Sequence, residues 1–229
     1  MTIKLTDVIE FYAAKPHQDK AIAFLQANID PKVLADFAEL WRAEPKLETK
    51  QLITMQQATA IFLRSPSAKQ LQDLNACLVR FEITTHKRMQ HFLSQIGHES
   101  AGLLHIKEIN PGWYIPKKFG LPMVADADGY YAYRGAGWMQ MSMPENYLAF
   151  ANYMGDPKIY DLGCPYVAEN YPGTASGFWW MENRMSSLVD AGANVEQISR
   201  MVNLGGAAGV IHGMSDRLAY HARASAVFG

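Results

Sequence analysis

A helical segment that ends in a glutamate constrains this sequence more than any other stretch. Thr84 and Thr85 are suitable N-cap residues, and four apolar side chains then follow at helical spacing: Met89, Phe92, Leu93 and Ile96. Glu99 lies three residues after the last of them, at the edge of the same apolar face, and Gly102 interrupts the pattern. The sequence therefore predicts an amphipathic helix that presents a carboxylate at its C-terminal end.

A carboxylate in this position suits acid catalysis. Apolar surroundings remove water from a carboxylate and penalise its charged form, which is how a glutamate becomes a proton donor near neutral pH. The alternative is that Glu99 turns to solvent or pairs with a base such as Arg88. Position alone leaves both interpretations open.

Helical periodicity recurs over most of the remaining chain, so we expect a mainly α fold. The predicted helices cover 54–64, 67–82, 85–98, 144–154, 172–188, 195–202 and 209–227, and strand signals are few and short. Residues 100–137 differ, because glycine, proline and aromatic residues are frequent there. Long irregular segments of compact domains usually carry function.

The first 47 residues read as three short helices, separated from the rest by a polar stretch that contains Pro45. We therefore divide the chain into a small three-helix module, 1–47, and a catalytic domain, 48–229. A module of this size has a thin core. It is either an extension that docks on the main domain or a small targeting module.

Composition narrows the functional class. The chain has 229 residues, 49% hydrophobic and 19% charged, with a formal net charge of −1. This balance is typical of a globular protein and provides no basic surface for nucleic acid. No apolar run approaches the ~20 residues that cross a bilayer, and no signal peptide is apparent. Cys77 and Cys164 are too few for a disulfide framework, so we expect synthesis in a reducing cytoplasm. If the protein acts outside, something else must release it. We also expect a monomer.

A second carboxylate follows the first across the glycine. Glu108 lies nine residues beyond Glu99, and two carboxylates on either side of a turn can face each other across a cleft. This arrangement suits glycoside cleavage, in which one carboxyl group donates a proton and the other activates water. The alternative is a surface glutamate beside Lys107.

Residues 131–147 add groups that bind sugars. The amide and hydroxyl side chains of Gln140, Ser142 and Asn146 can recognise ring hydroxyls, and aromatic faces can lie beneath the sugar rings. The aromatic residues considered are Trp113, Tyr114, Tyr133 and Trp138. The alternative is a structural hairpin with aromatic side chains in the core.

Three motifs in order resemble glycoside hydrolase family 19: F-L-S-Q-I-G-H-E-S-A-G, then I-K-E-I-N, then Y-R-G-A-G-W-M-Q-M-S-M-P-E-N-Y. The family contains chitinases and many phage endolysins, with a mainly helical, lysozyme-like bilobal fold. The resemblance runs from about residue 50 to the C-terminus. It implies Glu99 as general acid, Glu108 as general base and Ser142 as a residue that holds the water. It also implies residues that contact sugars or support the acid: Gln140, Asn146, Tyr147, Asn203 and Arg217.

The chain departs from the family pattern at three positions. Ala136 replaces an arginine that could organise the acid, Glu145 stands where chitinases often carry an aromatic residue, and Leu204 interrupts a common N-G-G. These differences bear on the sugar contacts and the substrate more than on bond cleavage.

Other classes of protein fit less well. His91, His98 and His105 are spaced by seven, but Gly102 stands where a zinc-binding H-E-x-x-H needs its second histidine, so we predict no metal and no cofactor. No G-x-S-x-G marks a serine hydrolase. A catalytically inactive wall-binding protein is the non-enzyme alternative, although it would not need Glu99, Glu108 and Ser142.

We therefore predict an endolysin-type glycosidase that cuts β-1,4 bonds between N-acetylated sugars of peptidoglycan with inversion. The missing signal peptide and the N-terminal module favour the endolysin branch, with release by holin-type export or lysis. Chitin, which has the same linkage, is the alternative substrate.

Overall fold

The computed structural model describes residues 51–229, together with Asn28, Asp30, Lys32 and Val33. The chain divides into two units, Met1–Glu48 and Thr49–Gly229. In the first, the carboxylate of Asp30 accepts a hydrogen bond from the amide of Lys32 at 2.7 Å, as an N-cap residue does. The rest of the predicted three-helix module lies outside the described residues, and its role stays a prediction.

Residues 51–229 form eleven helices. In chain order they are α1 Met55–Phe62, α2 Ala68–Arg80, α3 His86–Glu99, α4 Tyr114–Phe119, α5 Pro144–Met154, α6 Lys158–Leu162, α7 Cys164–Asn170, α8 Pro172–Glu182, α9 Met185–Asp190, α10 Val195–Leu204 and α11 Met214–Phe228. Extended pairing in this part of the chain is limited to isolated bridges, of which two join Ala136 to Lys107 and to Met141. The predicted mainly α fold is confirmed.

Local sequence explains where several helices begin. Helices α1, α2 and α10 each start with a capping box, in which the cap side chain and a glutamine three residues later bond each other's backbone amides. Helix α3 starts after Thr85, whose hydroxyl accepts from the amide of Arg88 at 3.3 Å. These contacts span three residues, which is why the starts could be predicted.

Three predictions about the helices are corrected. The single helix over 172–188 is two helices, because Arg184 takes a left-handed conformation with φ +52°. The last helix begins at Met214 rather than 209, since Gly209 and Gly213 have φ values of +150° and +66°. Helices α4, α6 and α7 were not predicted, because helices of five to seven residues are too short to show a helical period.

Helix α3 packs closely along α11. A Cβ added at Gly97 would lie 2.6 Å from a ring carbon of Tyr220, so glycine allows the two helices to approach. On another side of α3, Phe92 meets Trp180 edge to face with ring centroids 5.3 Å apart. This packing brings the C-terminal end of α3 to the N-terminal end of α11.

The two cysteines are buried free thiols. Burial raises the pKa of Cys164 to about 11 and that of Cys77 well above its usual range. Neither thiol is therefore activated for nucleophilic chemistry. No helix among the described residues has the length and apolar character needed to span a membrane.

Candidate active site

Glu99 is held by a buried arginine. It is the last residue of α3, and its side chain is 20% exposed. Arg217, in the first turn of α11 and 1% exposed, donates one guanidinium hydrogen bond to Glu99 and another to Gln95. Its Nε also donates to the carbonyl of His212 at 3.2 Å. Three acceptors thus orient the guanidinium beside the carboxylate.

This environment corrects two expectations. Arg88 does not pair with Glu99, because it donates to Asp190 at 3.0 Å and to the carbonyl of Glu82 at 2.8 Å. Nor is the neighbourhood of Glu99 simply apolar, since a guanidinium contacts the carboxylate. Although Ala136 removes the arginine of the family pattern, Arg217 supplies one. Its burial makes Arg217 a partner of the Glu99 carboxylate rather than a surface that a ligand contacts.

Gln95 is a site residue that the sequence analysis missed. A glutamine in the middle of a helix gives no signal of its own, yet this side chain is fully buried. Its amide nitrogen donates to the hydroxyl of Ser199 at 3.1 Å, which leaves its oxygen to accept from Arg217. Its position four residues before Glu99, on the same helix face, is the signal that could have found it.

The histidines at heptad spacing have separate partners. The Nδ1 atom of His98 lies 2.7 Å from a carboxylate oxygen of Asp216, next to the pair of Glu99 with Arg217. The ring of His91 packs against His221 with centroids 4.7 Å apart. Within the described part of the chain, no group of three or more His, Cys, Asp or Glu is placed to hold a metal ion.

Glu108 is held by donors of no net charge. The amide of Gly135 donates to Oε2 at 2.9 Å, and the hydroxyl of Tyr114 donates to Oε1 at 3.2 Å. The backbone amide of Glu108 in turn donates to the carbonyl of Gly135 at 2.8 Å. Lys107 instead pairs with Asp128 at 2.7 Å. Glu108 is therefore not the surface partner of Lys107.

Gly135 lies between two of the predicted site residues. A Cβ there would lie 2.6 Å from the amide oxygen of Gln140 and 3.3 Å from the Cβ of Glu108. The predicted site residues Gln140 and Glu108 therefore meet at the backbone of Gly135. Gln140 has φ +55° and donates to the carbonyl of Gly137 at 3.0 Å.

The other predicted polar residues lie near the start of α5 and the end of α10. Ser142 and Asn146 are half-buried, and the amide of Asn146 donates to the carbonyl of Ser142 at 2.7 Å. The side-chain oxygen of Asn203 accepts from the amide of His212 at 2.9 Å. Asn203 thus holds the connection from α10 to α11, which leads into Arg217.

The aromatic residues divide into core and surface. Trp138 and Tyr147 are fully buried and Tyr133 is 7% exposed. Tyr147 donates to the carbonyl of Arg134 at 2.6 Å, and Tyr133 stacks on Tyr160 with centroids 4.9 Å apart. A buried ring offers no face to a sugar, so these three are removed from the predicted sugar contacts. They match the alternative interpretation, in which these aromatic side chains belong to the core.

Two neighbouring aromatic residues remain accessible. Trp113 is half-buried, with its ring centroid 5.9 Å from that of Tyr131. Tyr114 is 52% exposed. Among the predicted aromatic residues, Trp113 and Tyr114 therefore keep surface that a ligand can reach, and the hydroxyl of Tyr114 contacts Glu108.

The two glutamates differ in a way that suits different roles. A carboxylate beside a guanidinium is stabilised in its negative form, so Arg217 can stabilise the charge left on Glu99 after it donates a proton. Glu108 is bound by an amide and a hydroxyl, which orient a carboxylate without neutralising it. The site can supply one acid and one base.

Comparison with known proteins agrees on the fold. No protein-family model matches the chain, and no curated protein matches its sequence. Chitinase C from Streptomyces griseus HUT6037 superposes with a TM-score of 0.58 at 20% identity, covering 79% of this chain and 78% of its own. A bacterial family 19 chitinase gives 0.56 at 20% identity, with 78% and 95% covered. A class IV family 19 chitinase from Zea mays gives 0.57 at 16% identity, with 77% and 92% covered. The chain therefore has the fold of the family 19 chitinases, which confirms the fold that the resemblance implied.

Proposed function

We propose that this chain is an inverting glycoside hydrolase that cuts β-1,4 bonds between N-acetylated sugars, with Glu99 as general acid and Glu108 as general base. The observation that carries the proposal is the pair of carboxylates on a family 19 chitinase fold, one bound by Arg217 and the other by Gly135 and Tyr114. Each is oriented by groups of the chain itself, as an acid and a base need to be.

Glu99 gives its proton to the glycosidic oxygen as the bond from this oxygen to the anomeric carbon breaks. The leaving sugar departs with a free hydroxyl group. The carboxylate that remains on Glu99 is stabilised by Arg217, and this interaction strengthens as the charge develops. Such interactions, stronger in the transition state than before it, are those that accelerate a reaction.

In the same displacement, Glu108 takes a proton from a water molecule as its oxygen attacks the anomeric carbon from the opposite face. A single displacement inverts the configuration, and it requires the two carboxyl groups to lie ~6.5–9.5 Å apart so that the water fits between them. Ser142 helps to hold this water. Gln140, Asn146 and Trp113 contact the sugars.

We take peptidoglycan as the substrate, because the motifs resemble a family that includes many phage endolysins, the chain carries a further N-terminal unit, and it departs from the family pattern at Ala136 and Glu145. Chitin is the second candidate, and it is supported by the chitinases among the structural neighbours. Both polymers contain β-1,4-linked N-acetylated sugars. They differ in the lactyl-peptide substituents, which only peptidoglycan carries.

The experiment compares the release of reducing ends from purified peptidoglycan and from colloidal chitin by the wild type and Glu99→Gln. Glutamine keeps an oxygen that can accept from Arg217, so we expect a folded variant that loses at least about 100-fold in turnover. Glu169→Gln is the matched control, because Glu169 is exposed on α7, and it should retain activity.

Each outcome is decisive. Activity on peptidoglycan that Glu99→Gln abolishes supports the proposal. Activity on chitin alone supports the second candidate, a chitinase. A Glu99→Gln variant with more than about a tenth of wild-type turnover would show that the acid is assigned wrongly. A wild type that sediments with the wall without cleaving it would identify a binding protein instead.

A further inference from the structure

The hydroxyl of Tyr114 contacts a carboxylate that the proposed reaction uses. It donates to Oε1 of Glu108 at 3.2 Å, while the amide of Gly135 donates to Oε2 at 2.9 Å. The carboxylate thus receives one donor on each oxygen. A carboxylate has about four lone-pair sites, so these two bonds orient it and leave sites on both oxygens for a water molecule.

The backbone around Tyr114 is anchored independently of Glu108. Ile115 and Pro116 are buried, and the amide of Ile115 donates to the carbonyl of Gly112 at 3.0 Å. A Cβ added at Gly112 would lie 2.6 Å from the Cβ of Arg134, so this backbone packs directly against the segment that precedes Gly135. The two donors to Glu108 are therefore carried by backbone segments in contact with each other.

The tyrosine hydroxyl remains a donor over the working pH range. Loss of hydration, together with the neighbouring charge of Glu108, raises the pKa of Tyr114 to about 12. The hydroxyl therefore keeps its proton at neutral pH and cannot act as the base itself. The side chain of Tyr114 is 52% exposed and therefore accessible to solvent.

We propose that Tyr114 is a positioning residue of the hydrolase, which orients the Glu108 carboxylate towards the attacking water. This inference rests on the proposed function. In the proposed reaction the base must accept the proton of a water on one face of the sugar. Rotation of the Glu108 carboxylate about its Cγ–Cδ bond would turn the accepting oxygen away from this water. With Gly135 alone, one oxygen of Glu108 would remain unrestrained.

The test is Tyr114→Phe, which removes one oxygen atom and keeps the ring. On the soluble substrate fragment that the wild type cleaves, we expect kcat to fall about tenfold with KM within about twofold, because the lost contact concerns the base and not the sugar. The acidic limb of the kcat profile should move to higher pH, since the carboxylate loses a donor to its charged form. Tyr130→Phe is the matched control, as Tyr130 is a 41% exposed tyrosine whose ring packs on Arg134.

The outcomes separate this inference from the proposed function. The first measurement is cleavage by the wild type and its loss in Glu108→Gln. If the wild type does not cleave, or if Glu108→Gln still cleaves, the proposed function fails. If cleavage is present and Tyr114→Phe has the kcat and pH profile of the wild type, Tyr114 has no positioning role. A rise in KM with kcat unchanged also overturns the inference, because it would make Tyr114 a sugar contact. Unfolding midpoints of both phenylalanine variants within about 2 °C of the wild type exclude a loss of fold.

Discussion

Arg217 donates a hydrogen bond to Glu99 across 118 positions of the sequence, and only 1% of its side chain is exposed. The contact joins the first turn of α11 to the last residue of α3. Its other acceptors, Gln95 and the carbonyl of His212, hold the guanidinium in one orientation. A planar guanidinium with several directed donors cannot be replaced by a flexible ammonium without loss.

Arg217→Lys should therefore impair turnover more than substrate binding. A lysine keeps the charge but cannot serve Gln95, Glu99 and His212 in the same geometry, so we expect kcat to fall about 10- to 100-fold, equivalent to about 1.4–2.7 kcal/mol of barrier. Because the side chain is buried, KM should change less than about threefold. Steady-state kinetics on the cleaved polymer measure both.

Arg223→Lys is the control for this prediction, since Arg223 lies on the same helix and donates to the carbonyl of Ile61 at 2.7 Å. It should alter kcat by less than about twofold. A variant Arg217→Lys with unchanged kcat and a raised KM would instead show that Arg217 binds sugar.

Arg134 and Asp126 form a buried ion pair whose loss should be costly. Their side chains are 1% and 0% exposed, and Arg134 also donates to Asp128 at 2.9 Å. Arg134→Met leaves the Asp126 carboxylate buried without its partner, so we expect a loss of about 3–5 kcal/mol in the free energy of unfolding. Denaturant titration measures it.

The matched control for Arg134 is Arg88→Met at the partly exposed pair with Asp190, where the side chains are 23% and 45% exposed. Exposed pairs contribute little, so this change should cost less than about 1 kcal/mol. Equal losses in the two variants would contradict the difference in burial.

Asp73 should make the fold less stable as pH rises. Burial raises its pKa to about 6 from 3.8, despite the hydrogen bond from the amide of Gly173. Between these values the folded chain keeps a proton that the unfolded chain has lost. Stability from this group is therefore complete below about pH 3.8 and is lost as pH rises through about 6.

Asp73→Asn removes this dependence and keeps an oxygen for the Gly173 amide. The variant should exceed the wild type in free energy of unfolding by about 2–3 kcal/mol at pH 8 and match it near pH 3.8. Guanidinium titrations at the two pH values measure the difference. An equal difference at both would show that it does not arise from the titration of Asp73.

His91 should give a pH dependence of stability opposite to that of Asp73. Burial and the neighbouring His221 lower the pKa of His91 from 6.5 to about 4. The unfolded chain takes up a proton below pH 6.5 while the folded chain does not, so stability is present above pH 6.5 and is lost as pH falls through about 4. His91→Phe keeps a ring against His221 and should reduce the acid-induced loss between pH 6.5 and 4 by about 2 kcal/mol.

Thermal unfolding of the His91 variant and the wild type at pH 7 and pH 4.5 tests this. If the unfolding midpoint falls equally in both proteins between pH 7 and pH 4.5, groups other than His91 cause the acid sensitivity. His221, whose own pKa burial lowers, is the residue to replace next.

Sequence reasoning succeeded where interactions are short in range. The helix over 144–154 was predicted with its observed limits, and α3 differs from its prediction by one residue at either end. It failed at Arg184, where a left-handed residue splits a continuous apolar pattern. A period records which face is apolar and does not record the dihedral of one residue.

The candidate site shows the same division. Glu99 and Glu108 were singled out from their positions around a glycine, and the structure gives each of them directed donors. Gln95 was overlooked, and Trp138 and Tyr147 were taken for sugar contacts although they are buried. Polar and aromatic side chains occur in cores and at surfaces alike, so their identity alone does not separate the two.

The helices and their caps follow from local sequence, because they depend on neighbours within about four positions. Only the packed chain shows that Arg217 supports Glu99, that Tyr114 and Gly135 hold Glu108, and that Trp138 belongs to the core. Those relationships join residues from separate elements. Glycines at 97 and 112 let their segments approach Tyr220 and Arg134 closely, and close packing is a property of the folded chain.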